Sequence, residues 1–347
     1  MPLTQLNFQP GLDTENTPTG AEGRWVDGDK IRFRKGLPQK IGGWTKFSTG
    51  YYIGVGRALE QWFSLDGGRY EAIGTDRKIY TYASGISQDI TPIRSTDALV
   101  NAISTTTSSN IVTITDAGHG ASQGDFVTLS NVSATVGGLT ASVLDAEYEI
   151  LTISNTNAYT VQSSGTANAN VAPTANCTAM YQISTGPSVQ TFGYGWGSGT
   201  WGNSTWGTQR STSNVILDAR LWSINNWGED LIITQRDGST YEWDTSLGMS
   251  NNRAEVIANA PTNSTLSMIS TETRHVVCLG TETAIGNTAS VDKMFIRWSD
   301  QENYNQWTPN VTNSAGSQRI AGGSEIRCAR PAKGTMLIWT DTTMQSM

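Results

Sequence analysis

The sequence predicts an all-β protein in which β-propeller-like blades are interrupted by an inserted small β-barrel or sandwich domain. Three observations favour this fold class. The 347 residues include 36 glycines, 12 tryptophans and 11 tyrosines, a composition typical of strands joined by tight turns. A unit of apolar strand, polar turn and short aromatic strand recurs along the chain. Between residues 97 and 187 the composition changes to one dense in Thr, Ser, Val and Ile.

The first fifty residues are predicted to form an N-terminal arm and the first strands. In the run KIRFR, Ile31 and Phe33 alternate with Lys30, Arg32 and Arg34. A strand would place the apolar pair on one face and these three basic residues, here called the basic stripe, on the other. The basic stripe is either a solvated charged face or a surface that meets an acidic partner or a phosphate backbone.

The recurring unit predicts blades that pack side by side. Its copies are YEAIGTDRKIYTYASG (70–85), DLIITQRDGSTYEWDTSLG (230–248), a weaker one from RHVVCLGT (274–281) into KMFIRWSD (293–300), and one beginning at EIRCARPAKGTMLIWTD (325–341). One such hairpin cannot bury its own apolar surface, so repeated copies imply neighbours, as in a propeller. Residues 51–96 are predicted to form the first blade and 216–347 the further blades. The last blade is predicted to be incomplete, so that either a second chain completes it or the sequence belongs to a longer product.

Two segments depart from this repeat. Residues 97–187 contain alternating runs such as IVTIT (111–115) and FVTLS (126–130), which predict a self-contained β-rich insert. Residues 188–215 are predicted to form a loop rich in glycine and tryptophan. In it, Trp196, Trp201 and Trp206 recur at intervals of five. With this spacing the three rings would not share one face in a strand, and they would not share one in a helix. These rings are interpreted as anchors on a neighbouring subunit, or as groups that fold back onto the protein's own blades.

Catalytic chemistry finds little support in the motifs. The chain has two histidines, neither a GxSxG nor an HExxH motif, and three widely spaced cysteines, so no catalytic residue, metal ligand or cofactor is predicted. The chain is therefore expected not to be an enzyme. A propeller glycosidase is the enzymatic rival, because it needs only two carboxyl groups. The segment RWSDQENYNQW (297–307) is faintly similar to the Asp-containing box of sialidase propellers, but lacks its glycine.

Charge and hydropathy restrict the partners. A net charge of −7 argues against the broad basic surface of most nucleic-acid-binding proteins. The sequence has no apolar run long enough to span a bilayer, so membrane insertion is not expected.

Several segments resemble tailed-bacteriophage virion proteins. They are GLDTENTPTGAEGRWVDGDKIRFRKGLPQKIGGW (11–44), AIGTDRKIYTY with DITPI (72–93), YGWGSGTWGNSTWG (194–207) and RWSDQENYNQWTP (297–309). The resemblance is to the tail nozzle, or tail tubular protein B, family of short-tailed phages, whose members are considerably longer. It implies a structural virion protein in the tail, assembled in the host cytoplasm as a ring of its own copies around the DNA exit channel. The implied partners are the portal or adaptor, tail fibre and other tail proteins. The resemblance also implies transient, non-specific contact with genomic DNA, which an acidic ring with sparse positive charge would let slide. The alternative is a tail or baseplate protein that binds or cleaves host surface carbohydrate.

Overall fold

A computed structural model describes residues 8–43, 45, 50–65, 67–186, 219–250 and 252–347. The chain divides into two compact units, residues 1–49 and 50–347, and each is described by itself. In the first unit, β1 (Gln9–Leu12) pairs in parallel with β2 (Arg24–Trp25), and β3 (Ile31–Arg34) pairs antiparallel with β4 (Leu37–Lys40).

The second unit contains three four-stranded sheets, one three-stranded sheet and an eight-stranded insert. The first sheet is β5 (Gly56–Phe63), β6 (Arg69–Thr75), β7 (Ile79–Ala83) and β8 (Ile86–Asp89). The insert contains β9 (Ile93–Leu99), β10 (Ile103–Thr105), β11 (Ile111–Thr115), β12 (Phe126–Ser130), helix α1 (Ala141–Leu144), β13 (Glu147–Asn155), β14 (Ala158–Gln162), β15 (Val171–Thr174) and β16 (Cys177–Gln182).

The remaining sheets follow the insert in chain order. The second is β17 (Trp222–Trp227), β18 (Asp230–Gln235), β19 (Thr240–Trp243) and β20 (Glu255–Val256); the third is β21 (Leu266–Ile269), β22 (Val276–Leu279), β23 (Phe295–Trp298) and β24 (Gly316–Arg319); the fourth is β25 (Ile326–Ala332), β26 (Thr335–Thr340) and β27 (Met344–Ser346). Short 3₁₀ turns occur at Thr245–Leu247 and Thr288–Ser290. In all four sheets each strand pairs antiparallel with the next one in sequence.

The sheets stack as propeller blades. The first strand of the second sheet, β17, contacts both β5 and β21, and β21 contacts β25, so the first strands of the four sheets lie side by side around one axis. Two indole N–H groups bridge the first two sheets: Trp62 Nε1 donates to the Glu229 carbonyl at 2.9 Å and Trp222 Nε1 to the Thr75 carbonyl at 2.6 Å. The all-β, propeller-like fold class predicted from the sequence is confirmed.

The inner strands β18 and β22 are apolar on both faces because a sheet covers each face. On β18, Leu231 and Ile233 pack with Trp62 and Trp243 of the first-to-second-sheet core. Ile232, which lies between them, points the other way and packs in the core shared with the third sheet. This alternation explains why the run LII carries no polar residue, as is usual in strands buried on both sides.

One copy of the recurring unit lies in a different part of its blade. The copies at 70–85, 230–248 and 274–300 form the second and third strands of their sheets, whereas the copy at 325–341 forms the first and second. Trp339 therefore lies on a second strand and Trp298 on a third. A hairpin of apolar strand, turn and aromatic strand looks the same at either place, so spacing alone does not reveal the offset.

The insert is one eight-stranded sheet in the order β15-β10-β11-β14-β13-β12-β16-β9. It curves at β13, which pairs with β12 through its first residues and with β14, across two bulges, through the rest. In the described part of the insert the edge strands β15 and β9 do not pair with each other, so the barrel does not close. A core of its own, which includes Ile114, Val127 and Tyr159, fills the concave side.

A charged junction joins the insert to the first two sheets. It consists of Lys78 and Asp89 of the first sheet, Glu147 of the insert and Arg253, which precedes β20. Lys78 Nζ lies 2.8 Å from Asp89 Oδ2 and 2.6 Å from Glu147 Oε2. Arg253 reaches the same two carboxylates at 3.3 and 4.0 Å. The Lys78 side chain is only 1% exposed, so its charge depends on these partners.

Candidate functional site

The sequence-predicted interface tryptophans Trp196, Trp201 and Trp206 lie outside the described residues. The basic stripe lies within them. Arg32 and Arg34 are exposed on β3 while Ile31 and Phe33 are half-buried, as the alternation predicts. Arg32 Nε donates to Gln39 Oε1 at 3.2 Å, and Lys30 Nζ lies 3.7 Å from Asp29 Oδ2. Whether the basic stripe meets a partner stays a prediction.

A cleft opens where the first strands of the four sheets meet, and we call it the axial cleft. Its cavity measures about 490 Å³, within the range of small-molecule sites. Segments 57–60, 221–225, 265–268 and 327–331 line it, together with Arg236. Asn225 Nδ2 donates to the Ser267 carbonyl at 3.1 Å and ties two of these strands together. The axial cleft thus rests on strands of all four sheets.

The axial cleft is rich in arginine although the chain is acidic. Arg57, Arg236, Arg327 and Arg330 line it. Glu325 lies 3.6 Å from Arg236 and 3.1 Å from Arg327. In the part of the chain that the structure describes, no carboxylate lies within salt-bridge distance of Arg330. Glu325 thus serves two of these arginines, and the Arg330 guanidinium gives the axial cleft a positive charge that favours an anionic ligand.

Glu60 is the carboxyl group inside the axial cleft. It lies half-buried on β5. Burial raises the pKa of Glu60 above its usual value, and the charge of Arg330 opposes that rise only in part. A carboxyl group whose pKa is raised keeps its proton to a higher pH and can donate it.

A second cavity continues from the axial cleft, and we call it the rim cavity. Its volume is about 370 Å³, and it shares Glu60 and Asn225 with the axial cleft. Asn226, Trp227, Ser270, Thr271 and Arg274 are among its other lining residues.

The cysteines differ in their accessibility. Cys328 is exposed and lines the axial cleft. Cys177 and Cys278 are buried, and burial raises the pKa of each thiol to about 11. Among the described residues no group of three His, Cys, Asp or Glu side chains could hold a metal ion.

The sialidase-box-like segment forms a turn away from the axial cleft. Asp300 Oδ1 accepts hydrogen bonds from Gln301 N, Ser314 N and Ser314 Oγ at 2.7 to 2.9 Å. Trp307 is fully buried against the second and third sheets. These contacts fix the connection between β23 and β24, so this carboxylate has a structural role.

Sequence reasoning missed the arginines of the axial cleft. Arg57, Arg236 and Arg327 lie on strands or turns of three different sheets, separated by long stretches of sequence. Only the stacking of first strands brings them together. The one local signal is RCAR at 327–330, in which two arginines flank an exposed cysteine on a strand that opens a blade.

Neither a protein-family model nor a curated protein sequence matches the chain. Among solved structures it is similar to the phage phi92 endosialidase, with 13% sequence identity and a TM-score of 0.27. The match covers 87% of this chain and 43% of that one, so the chain spans less than half the length of the matched protein. No helix in the described ranges has the length and apolarity needed to cross a membrane.

The comparison corrects one prediction. The chain is expected from its motifs not to be an enzyme, whereas the matched protein is named an endosialidase, so the prediction of a non-enzyme is wrong as it stands. The missing motifs argue against serine hydrolases and His-rich metal sites. A glycosidase needs only two carboxyl groups, and their placement in a cleft leaves no motif in the sequence.

Proposed function

We propose that this chain is part of a phage tail and that its axial cleft binds an acidic saccharide of the host surface. The observation that carries the proposal is Arg330, whose guanidinium has no carboxylate within salt-bridge distance among the described residues and lines a cleft that all four sheets build. Support for a tail protein comes from the sequence segments that resemble phage tail proteins.

Carboxylated sugars fit the chemistry of the axial cleft. A guanidinium group offers a planar fork of N–H donors that matches a carboxylate. Arg330 has no carboxylate partner within salt-bridge distance in the described residues, so it is the arginine that we assign to the ligand. The polar side chains of Ser223, Asn225 and Ser267 supply groups for sugar hydroxyls.

Glu60 is the group that we assign to bond cleavage. It lies in the same cavity as Arg330, and burial raises its pKa. A protonated Glu60 would donate its proton to the leaving glycosidic oxygen, while water supplies the hydroxyl that ends on the anomeric carbon and the remaining proton of that water returns to Glu60. The Glu60→Gln substitution keeps the shape of the side chain and removes its acidic proton.

The test is binding to an array of sialylated, uronic-acid and neutral saccharides. The wild-type protein is expected to retain acidic saccharides, and Arg330→Gln to bind them at least tenfold more weakly. Arg69→Gln is the matched control, because Arg69 is also an exposed arginine but lies at the far end of the first sheet over the Phe63 ring. Equal retention of neutral saccharides, or unchanged binding by Arg330→Gln, would overturn the proposal. Release of new reducing ends that Glu60→Gln abolishes would support cleavage.

A ring around the DNA exit channel is the second candidate, and the resemblance of segments 11–44 and 194–207 to tail nozzle proteins favours it. A duplex does not fit within a cavity of about 490 Å³, so a channel would lie between copies of the chain. Alanine at Trp196, Trp201 and Trp206 is expected to leave the monomer folded and to impair ring assembly. Mass photometry checks this; a triple variant that assembles normally, or that unfolds, would refute the interface.

A further inference from the structure

The axial cleft and the rim cavity adjoin each other. They share the lining residues Glu60 on β5 and Asn225 on β17, and the two cavities together are here called the groove. The axial cleft measures about 490 Å³ and the rim cavity about 370 Å³. Each volume alone is in the range of a small-molecule site, so the groove has room for more than one sugar unit.

Arg274 lies at the far end of this groove. It is exposed and lines the rim cavity, and its guanidinium lies 5.1 Å from the centre of the Trp227 ring. In the described residues no carboxylate lies within salt-bridge distance of Arg274. Stacking on the indole orients the guanidinium while leaving its charge without an anionic partner.

The backbone holds Arg274 in an uncommon conformation. Its φ is 50°, in the left-handed region that side chains other than glycine seldom adopt. Arg274 N donates to the Ser270 carbonyl at 3.0 Å, and the Arg274 carbonyl accepts from Glu302 N at 3.2 Å. These bonds fix the main chain at Arg274, and the contact with Trp227 orients the guanidinium.

We propose that the groove binds an acidic polymer, with the carboxylate of one sugar unit on Arg330 and that of a later unit on Arg274. This inference rests on the proposed function, which it deepens by naming the ligand class: a chain of acidic sugars and not a single terminal residue. Two separated cationic positions in one groove act as linked sites, so a ligand long enough to reach both binds more tightly than either half.

The test measures binding against ligand length. Sialic acid and galacturonic acid oligomers of one to eight units serve as probes in calorimetry. In the wild-type protein the affinity is expected to rise roughly tenfold or more between one unit and the length that reaches Arg274. In Arg274→Gln the rise disappears while single-unit binding is unchanged, and in Arg330→Gln binding falls at every length.

Three variants and one probe keep the outcomes distinct. Arg274→Lys keeps the charge and is expected to recover part of the rise, and Arg69→Gln is expected to match the wild type. Cys328 lines the axial cleft, so a ligand bound at Arg330 should protect it from a thiol reagent. The same protection in Arg274→Gln would confirm that this variant still holds the ligand at Arg330. An affinity that does not depend on length in the wild type, or an undiminished rise in Arg274→Gln, would overturn the inference alone. Failure of both acids to bind at any length would overturn the proposed function with it.

Discussion

Replacement of Lys78 by methionine tests the charged junction between the insert and the propeller. Lys78 is almost fully buried, and its Nζ contacts both Asp89 and Glu147. It also lies 4.3 Å from the centre of the Phe126 ring. Methionine matches the length and apolar volume of the lysine stem but provides no charge.

The expected loss of unfolding free energy is about 3 kcal/mol. Removing one partner of a buried ion pair costs roughly 3–5 kcal/mol, because the remaining charge stays buried without compensation. Here the carboxylates of Asp89 and Glu147 are 18% and 32% exposed, and Arg253 still reaches both. Water and Arg253 therefore compensate part of the loss, which places the value at the low end of that range.

The loss should depend on pH. Burial alone would raise the pKa of Asp89, but Arg253 and Lys78 outweigh burial and hold the pKa below its ordinary value of 3.8. A carboxyl group with a lowered folded-state pKa contributes stability above its unfolded pKa and loses it as the pH falls through the folded value. The difference between wild type and Lys78→Met is therefore largest near neutral pH and shrinks below about pH 3.8.

Urea unfolding at pH 7 and pH 3, followed by tryptophan fluorescence and far-UV circular dichroism, measures this difference. Lys293→Met is the control, because the Lys293 ion pair with Asp237 is about one-third exposed and such pairs contribute about 1 kcal/mol or less. A loss below about 1 kcal/mol at pH 7, or an equal loss at both pH values, would refute the argument.

Cys328 is expected to be the thiol that a maleimide labels in the native protein, since the other two are buried with raised pKa values; mass spectrometry showing a second native label would contradict this. Gly74→Ala is expected to lower the free energy of unfolding in urea by about 1–3 kcal/mol, because the new Cβ would lie 2.6 Å from Trp222 Cδ1. Gly56→Ala is the control, because its Cβ would meet nothing closer than 3.9 Å. Equal stability of the two variants would count against the predicted clash. Acidic-saccharide binding should strengthen as the pH falls from neutrality towards the pKa of Glu60, because burial raises that pKa and protonation of Glu60 removes a negative charge from the axial cleft. Glu60→Gln should flatten that profile, and a profile that kept its slope would exclude Glu60 as the titrating group.

The blades were predictable because their strands carry the pattern of burial on two faces. The run LII of β18 and the run VVCL of β22 contain no polar residue, and each lies between two sheets. The position of a hairpin within its blade was not predictable. Trp339 and Trp298 end similar sequences, but Trp339 lies on the second strand of its sheet and Trp298 on the third. Only the packing of β25 against β21 reveals this difference.

The axial cleft was not predictable for a related reason. Strand alternation tells which face Arg330 or Glu60 occupies on its own strand but not which strand stands across from it. The sequence analysis singled out Lys30, Arg32 and Arg34, where basic residues are close in sequence. The arginines that gather in the cleft are close only in space, because long-range stacking decides their neighbours.

The pairing of β9 with β16 has a consequence for how this protein can vary. Ile93 faces Gln182 across that ladder, and Ile183 N donates to the Pro92 carbonyl at 3.0 Å. The chain thus departs from the propeller and returns to it at a single stem. The residues beyond the stem can therefore change in length without changing the gap that the stem bridges, provided that a carboxylate still meets Lys78 where Glu147 does.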